Sequence, residues 1–175
     1  FKLQFVIKKK ITIIKILYMN YKYINIYNNL VNLTRNKDLY INLSSSDSFS
    51  DRLTFFLFHF AFFLKVFKKN NDKKKLQEIY DYVFKQIELS IREIGYGDVV
   101  INKKMKVYIN TFHSILNKID KWTGLNELDK NKILFNFLFL NNNSSKLTNY
   151  FDKYELLLSK NTLNSLIKGV IKLKI

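Results

Sequence analysis

Apolar residues recur at three- and four-residue steps along almost the whole chain of 175 residues. This spacing places them on one face of an α-helix, and no strand-turn-strand pattern interrupts it. The apolar stripes predict helices at 23–34, 51–68, 76–91, 105–119, 128–140, 147–158 and 163–170. We therefore expect an all-α fold: a single compact domain of six or seven helices that spans residues 19–175.

Polar and glycine-containing breaks separate these stripes and predict where the helices begin and end. The serine-rich segment 44–48 offers N-cap side chains for the second helix. Gly95 is expected to stop the third helix, since glycine favours the left-handed conformation that follows a helix end. Residues 96–101 are then expected to form a loop. The remaining N-cap candidates are Asp72, Asn102 and Asn161.

The most apolar stretch, residues 53–64, is about 12 residues long and is followed by lysines. A membrane-spanning helix needs about 20 apolar residues. We therefore interpret the stretch as a buried core helix. His59 lies inside it and is expected to be a core histidine that hydrogen-bonds to a neighbouring group.

The first 18 residues differ from the rest of the chain. They carry five lysines and no acid, and Met19 is the first methionine. Lysines at 8–10 and 15 interrupt the apolar part, and no small-residue cleavage site follows, so the segment does not resemble a signal peptide. We expect residues 1–18 to be a non-native or disordered N-terminal extension. The alternative is a basic segment that lies on a membrane surface.

Composition excludes several classes of protein. Hydrophobic residues make up 47% of the chain and aromatic residues 16%, which is incompatible with a disordered protein. The sequence contains no Cys, which excludes a disulfide scaffold, a zinc finger and a cysteine nucleophile.

The formal net charge is +16, with 30 Lys and Arg residues against 14 Asp and Glu residues. Such a charge is typical of nucleic-acid-binding proteins. However, the arginines, whose side chains read bases and phosphates most effectively, are only Arg35, Arg52 and Arg92. Abundant Lys, Asn and Ile indicate A+T-rich coding. We interpret most of the charge as solvated lysines, and we expect no specific DNA partner.

No catalytic or metal-binding constellation is evident. The two histidines, His59 and His113, are far apart and show no ligand spacing. Gly95 and Gly97 lack the third glycine of a phosphate-cradling loop and do not follow a predicted strand. We therefore expect a binding protein rather than an enzyme, with no metal and no cofactor.

Residues 91–98 stand out because two of the four glycines fall at this one joint between helices. One interpretation is purely structural: a left-handed helix stop followed by a tight turn, with Asp98 capping backbone donors. The other is that the joint presents a binding face. That face would consist of Arg92, Asp98, Lys103, Lys104 and Lys106.

The same residues carry a resemblance to a known family. Residues 92–98 read Arg-Glu-Ile-Gly-Tyr-Gly-Asp, and residues 103–106 read Lys-Lys-Met-Lys. Upstream, an Asp at 47 and Arg52 precede Phe58 and His59. In these features the chain resembles the ubiquinol–cytochrome c chaperone family, the assembly factors of the cytochrome bc1 complex. The resemblance runs from about residue 21 to residue 122, and the part after 125 is only generically helical.

The resemblance implies a function that is not catalytic. Family members chaperone newly made cytochrome b and help it enter the bc1 complex. It implies a location in the cytoplasm, peripheral to the inner membrane, for a bacterial-type member, or in the mitochondrial matrix for a eukaryotic one. The ribosome and the membrane surface are further expected partners. The alternative function is a basic helical protein that binds RNA or the ribosome surface.

The partner-binding residues follow from the resemblance and from the joint together. They are Arg92, Glu93, Gly95, Gly97, Asp98, Lys103, Lys104, Lys106, Asp51, Arg52 and His59. For Asp51 and Arg52 a structural interpretation stands beside this one, as an N-cap and a surface or partly buried ion pair.

Overall fold

The computed structural model describes residues 22–41, 43, 48–70, 72–138, 140 and 145–169. Within these residues the chain forms seven α-helices, joined in part by three short 3₁₀ turns, and no strand longer than a single bridge between Leu43 and Leu140. The helices are α1 (Ile24–Leu33), α2 (Phe49–Phe67), α3 (Lys73–Glu93), α4 (Asp98–Ile119), α5 (Glu127–Phe137), α6 (Ser145–Ser159) and α7 (Leu163–Ile167). The prediction of an all-α fold with six or seven helices is confirmed. Residues 1–18 lie outside the described residues.

Helix α2 forms the centre of the fold and packs against α1, α4 and α6. It is apolar on nearly every side, as expected of a helix surrounded by others. The ring of Phe62 stacks on Phe151 of α6 at 5.1 Å, and Phe60 stacks on Phe112 of α4, also at 5.1 Å. The apolar stretch 53–64 is therefore a core helix, as predicted. No helix in the described part is long and apolar enough to cross a membrane.

Helices α3 and α4 form an antiparallel hairpin. The Tyr80 hydroxyl is hydrogen-bonded to His113, and the ring of Phe84 contacts Phe112, so early residues of α3 lie beside late residues of α4. The two helices are joined by residues 94–97 alone. Gly95 ends α3 with a φ of 97°, in the left-handed region that favours glycine. The prediction for Gly95 is confirmed.

The predicted start of α4 is wrong. The helix begins at Asp98, so the expected loop at 96–101 is mostly helix and Asn102 lies inside it rather than at its cap. Gly97 is the N-cap residue, and its carbonyl oxygen accepts hydrogen bonds from the amides of Val100 and Ile101. Asp98 does not cap the helix with its side chain. Its carboxylate instead lies in the first turn, where the helix dipole favours a negative charge.

The start of α2 agrees with its prediction. Ser48 is the N-cap: its hydroxyl accepts a hydrogen bond from the amide of Asp51, and the Asp51 carboxylate accepts one from the amide of Ser48. This reciprocal pair is a capping box. The remaining predicted cap residues, 44–47, lie outside the described residues.

Two other predicted caps behave differently. Asp72 occupies the N-cap position of α3, but its side chain makes no cap hydrogen bond and pairs with Lys75 instead. Asn161 is not the cap of α7. Thr162 takes that place, with its hydroxyl accepting from the amide of Ser165, while the Asn161 side chain donates to the carbonyl of Leu157 at the end of α6.

Candidate partner-binding site

Arg92 connects the two sides of the α3–α4 joint. Its guanidinium group donates to Oε1 of Glu88, one turn earlier in α3, from Nε at 3.0 Å and from Nη2 at 2.9 Å. It also pairs with Asp98 at the start of α4. Hydrogen bonds to these two carboxylates raise the pKa of Arg92, and the bond to Asp98 has the larger effect. Hydrogen bonds from Lys85 and then Arg92 lower the pKa of Glu88. The cluster is exposed, so it fixes geometry more than it adds stability.

Lysines lie along the outer side of α4 beside this cluster. The ammonium group of Lys104 stands 4.6 Å from the ring centroid of Tyr96, a cation–π distance. Lys103 and Lys106 are exposed on the same side of the helix, one turn apart. These lysines follow Asp98, the partner of Arg92, within the first turns of α4. Glu93, by contrast, is exposed but makes no described contact with them.

Apolar side chains are exposed among these charges. Val99 is 70% exposed and Ile94 is 52% exposed, whereas most large apolar side chains of the described residues are buried. Contiguous exposed apolar residues on a monomer are typical of interaction sites. We name the whole set the joint surface. It consists of Arg92, Ile94, Tyr96, Asp98, Val99, Val100, Lys103, Lys104, Lys106 and Val107.

The sequence did not reveal this apolar component. Val99 and Val100 were expected in a loop, and only the true start of α4 places them on its outer side, away from the buried Ile101. The available signal was the spacing itself. A helix that buries Ile101, Phe112 and Ile115 turns positions 99, 103 and 107 outward.

The two glycines of the joint differ in what the fold requires. Gly95 needs its left-handed backbone, whereas Gly97 has a φ of −71°, which any residue adopts. A Cβ atom on Gly97 would meet nothing within 4 Å. The fold therefore has room for a side chain at position 97 and does not explain why this residue is glycine.

The upstream predicted residues lie apart from the joint surface. Asp51 is buried in the capping box of α2. Arg52 is exposed and, with Arg35, lines a groove of about 230 Å³ between α1, α2 and α3. Helix α3 contributes Ser90 to this groove and Arg92 to the joint surface, so both features share its C-terminal half.

His59 lies in the core, as its structural interpretation predicted. It is 0% exposed, its Nδ1 is 2.7 Å from the carbonyl oxygen of Phe55, and its Nε2 is 2.7 Å from the hydroxyl of Tyr150. Burial lowers its pKa to about 4. In this structure His59 offers no surface to a partner, so a direct contact role is not available to it.

No group of three or more His, Asp or Glu side chains in the described part of the chain could hold a metal ion. Trp122 is buried, and its indole N–H donates to Asp152 at 2.7 Å.

Two comparisons with known proteins gave matches. Residues 42–135 match the sequence model of a family described as ubiquinol–cytochrome C chaperone. The matched range starts and ends later than the range expected from the sequence, 21–122. The structure is similar to the crystal structure of the Cbp3 homolog from Brucella abortus, with a TM-score of 0.73 and 21% identity over 100% of this chain and 97% of that one. No curated protein matches the chain. Because the family match covers more than half of the chain and includes the whole joint surface, the protein belongs to the ubiquinol–cytochrome c chaperone family, the assembly chaperones of the cytochrome bc1 complex.

Proposed function

We propose that this protein binds newly made cytochrome b and holds it during assembly of the bc1 complex, and that the joint surface is where it does so. The observation that carries the proposal is the exposure of Val99 and Ile94 beside the lysines of α4, inside the stretch that matches the family. An apolar surface rimmed by charge at a rigid helix junction is the kind of surface that holds another protein.

The chemistry of the surface fits a membrane-protein client. In a membrane protein, each apolar membrane-spanning helix is followed by a polar loop. Exposed Ile94 and Val99 can cover the apolar part, while Lys103 and Lys106 can pair with carboxylates of a loop. Gly97 leaves its backbone open to close approach, which no larger residue would allow to the same degree.

Asp51, Arg52 and His59 take different parts in the proposal. Arg52 lies in the neighbouring groove and extends the contact area. Asp51 and His59 act as positioning residues: Asp51 caps α2, and His59 joins α2 to α6. Since cytochrome b is inserted into a membrane, we place the protein at the membrane periphery. For a bacterial protein this is the cytoplasmic side, and for a eukaryotic one the mitochondrial matrix.

The test is a pull-down of the protein from cells that are translating cytochrome b. Val99→Asp should lower the recovery of cytochrome b about tenfold, because it puts a charge at the centre of the apolar surface. Leu128→Asp on α5 is the matched control, since Leu128 is 69% exposed and Val99 is 70% exposed. Deletion of the gene should lower assembled bc1. Normal bc1 in the deletion strain would overturn the proposal.

The alternative function, RNA or ribosome-surface binding, is favoured by one observation: Lys103, Lys104 and Lys106 form a compact basic cluster on α4. It predicts RNA affinity that falls steeply as salt increases. A flat salt response would remove it. RNA binding without recovery of cytochrome b would favour it over the chaperone proposal.

A further inference from the structure

A second recessed surface lies at the opposite end of the α3–α4 hairpin. It is an open groove of about 550 Å³. Its walls are mainly apolar and come from three helices: α2 supplies Leu64, α3 supplies Leu76, and α4 supplies Phe112 and Leu116. The volume is within the range of about 300–1,000 Å³ typical of small-molecule sites.

The groove offers few polar partners to a ligand. The Tyr80 hydroxyl and Nε2 of His113, which both line it, are 3.0 Å apart and satisfy each other. Gln77 is exposed at the edge. A ligand with many hydrogen-bonding groups would lose its water there without replacement. The interior of the groove therefore suits a hydrocarbon chain.

The rim of the groove is strongly basic. Lys68 and Lys73 line it directly, and neither forms an ion pair within the described part of the chain. Residues 68–75 contain five lysines and one acid, Asp72, whose carboxylate is 3.3 Å from Lys75. We name these lysines the basic rim. It consists of Lys68 and Lys73, which line the groove, and of their neighbours along the chain, Lys69, Lys74 and Lys75. Lys69 lines a separate recess of about 210 Å³ beside Glu155.

Three lysines of the basic rim occupy an unfavourable place in the fold. Residues 73–75 form the first turn of α3, and that turn contains no acidic residue. The N-terminus of a helix carries a partial positive charge, so cations there are destabilised and an anion is stabilised. Asp72 at the N-cap pairs with Lys75 and offsets part of this repulsion, and an anionic group bound by Lys68 and Lys73 would offset more of it.

We propose that the groove binds one anionic phospholipid of a membrane, with an acyl chain against the apolar walls and the phosphate against Lys68 and Lys73. A peptide helix fits less well. A helix is about 10–12 Å across and rises about 5.4 Å per turn, so one turn already fills a volume similar to that of the groove. An acyl chain needs no hydrogen bonds, and the basic rim is complementary to its headgroup.

The position of the groove leaves the joint surface accessible. From Leu76, in the groove, to Glu93, at the joint, α3 rises by about 25 Å. A protein attached to a membrane through the groove would therefore keep the joint surface away from the contact. This proposal does not depend on the client that the joint surface binds.

The test measures binding of the full chain to vesicles of phosphatidylcholine with and without phosphatidylglycerol. Lys68→Gln combined with Lys73→Gln should weaken binding to the mixed vesicles about fivefold for each lysine removed. The control, Lys146→Gln combined with Lys153→Gln, removes the same charge from exposed positions of α6 that do not line the groove, and it should bind as the unaltered chain does.

Two further variants test entry into the groove rather than charge alone. Leu116→Trp fills the groove from α4, and Gln77→Trp does so from an exposed position that the core does not need. Monomeric dihexanoyl phosphatidylglycerol should shift the NMR signals of groove residues in the unaltered chain and not in these variants. Equal vesicle binding by the two lysine pairs, or unchanged lipid binding in both groove-filling variants, would overturn the proposal. So would equal affinity for vesicles without phosphatidylglycerol.

Discussion

The hydroxyl of Tyr150 donates a hydrogen bond of 2.7 Å to Nε2 of His59, and this bond joins α6 to α2 inside the core. The carbonyl oxygen of Phe55 lies 2.7 Å from Nδ1 of the same ring. Because a carbonyl oxygen can only accept, Nδ1 carries the proton. The imidazole is neutral, and both of its nitrogens are satisfied.

Removal of the Tyr150 hydroxyl should destabilise the fold. Tyr150→Phe leaves the buried Nε2 of His59 without a donor, which costs about 1–3 kcal/mol. Urea unfolding monitored by circular dichroism measures the loss. Tyr108→Phe is the matched control, since the Tyr108 hydroxyl has no hydrogen-bond partner within the described ranges. Equal losses in the two variants would contradict the assigned role of the bond.

The stability of the fold should fall as pH decreases from about 6.5 to about 4. Burial lowers the pKa of His59 from 6.5 to about 4, so in this interval the unfolded chain binds a proton that the folded chain does not. The loss for full titration is on the order of 3 kcal/mol. Unfolding free energies measured at about pH 7.5, above the unfolded pKa, and at about pH 6 and 5, between the two pKa values, give the dependence of stability on pH.

A variant separates His59 from the carboxylates that also titrate at the low end of this interval. His59→Gln should be less stable than the unaltered chain at neutral pH. Its unfolding free energy should also change less between about pH 5 and 6.5, the upper part of the interval. An unchanged slope in His59→Gln would show that other groups set the acid sensitivity.

The two joint glycines should respond differently to alanine. Gly95→Ala forces a Cβ atom onto a φ of 97° and should cost about 1–2 kcal/mol. Gly97→Ala meets no neighbouring atom and should leave the melting temperature nearly unchanged. Thermal unfolding compares the two. Under the proposed function, Gly97→Ala should still reduce recovery of cytochrome b, which a purely structural glycine would not do.

Lys65 is buried and forms an ion pair with the partly buried Glu155, with Nζ 2.7 Å from Oε1. Glu155→Gln leaves the buried ammonium group of Lys65 with a weaker partner, at a site that borders a small open recess, and should cost about 1–3 kcal/mol. The double variant Lys65→Met, Glu155→Leu removes both charges and should recover most of that loss. Chemical denaturation of the three chains tests this. A double variant less stable than Glu155→Gln would show that the pair is a net source of stability.

Much of the fold was predictable because local pattern decides it. Helix α2 is apolar all round and has no alternative to burial, and Gly95 ends α3 because few other residues adopt its conformation. The start of α4 was missed because Gly97 caps it with its carbonyl group alone, which leaves no side-chain signal. Asn102 looked like a cap only because its side chain is typical of one.

The candidate site was predictable only in part, because exposure is a property of tertiary packing. The charged residues of the joint, such as Arg92 and Lys103, were found from the motif. Val99 could not be found in this way, because the burial of an apolar residue depends on which helix covers it. The groove was not predictable at all: it exists because Leu76 and Leu116, forty residues apart, line the same recess.

Helix α3 is one unbroken helix of 21 residues that carries the groove near its start and the joint surface at its end. Its length is about 30 Å, and it contacts α4 through Tyr80 and Phe84 near its middle and through Arg92 near its end. The helix therefore sets the distance between the groove and the joint surface. A lipid bound in the groove and a protein bound at the joint surface would lie a fixed distance apart. The number of helical turns in α3 sets this distance, and the affinity of either contact does not change it.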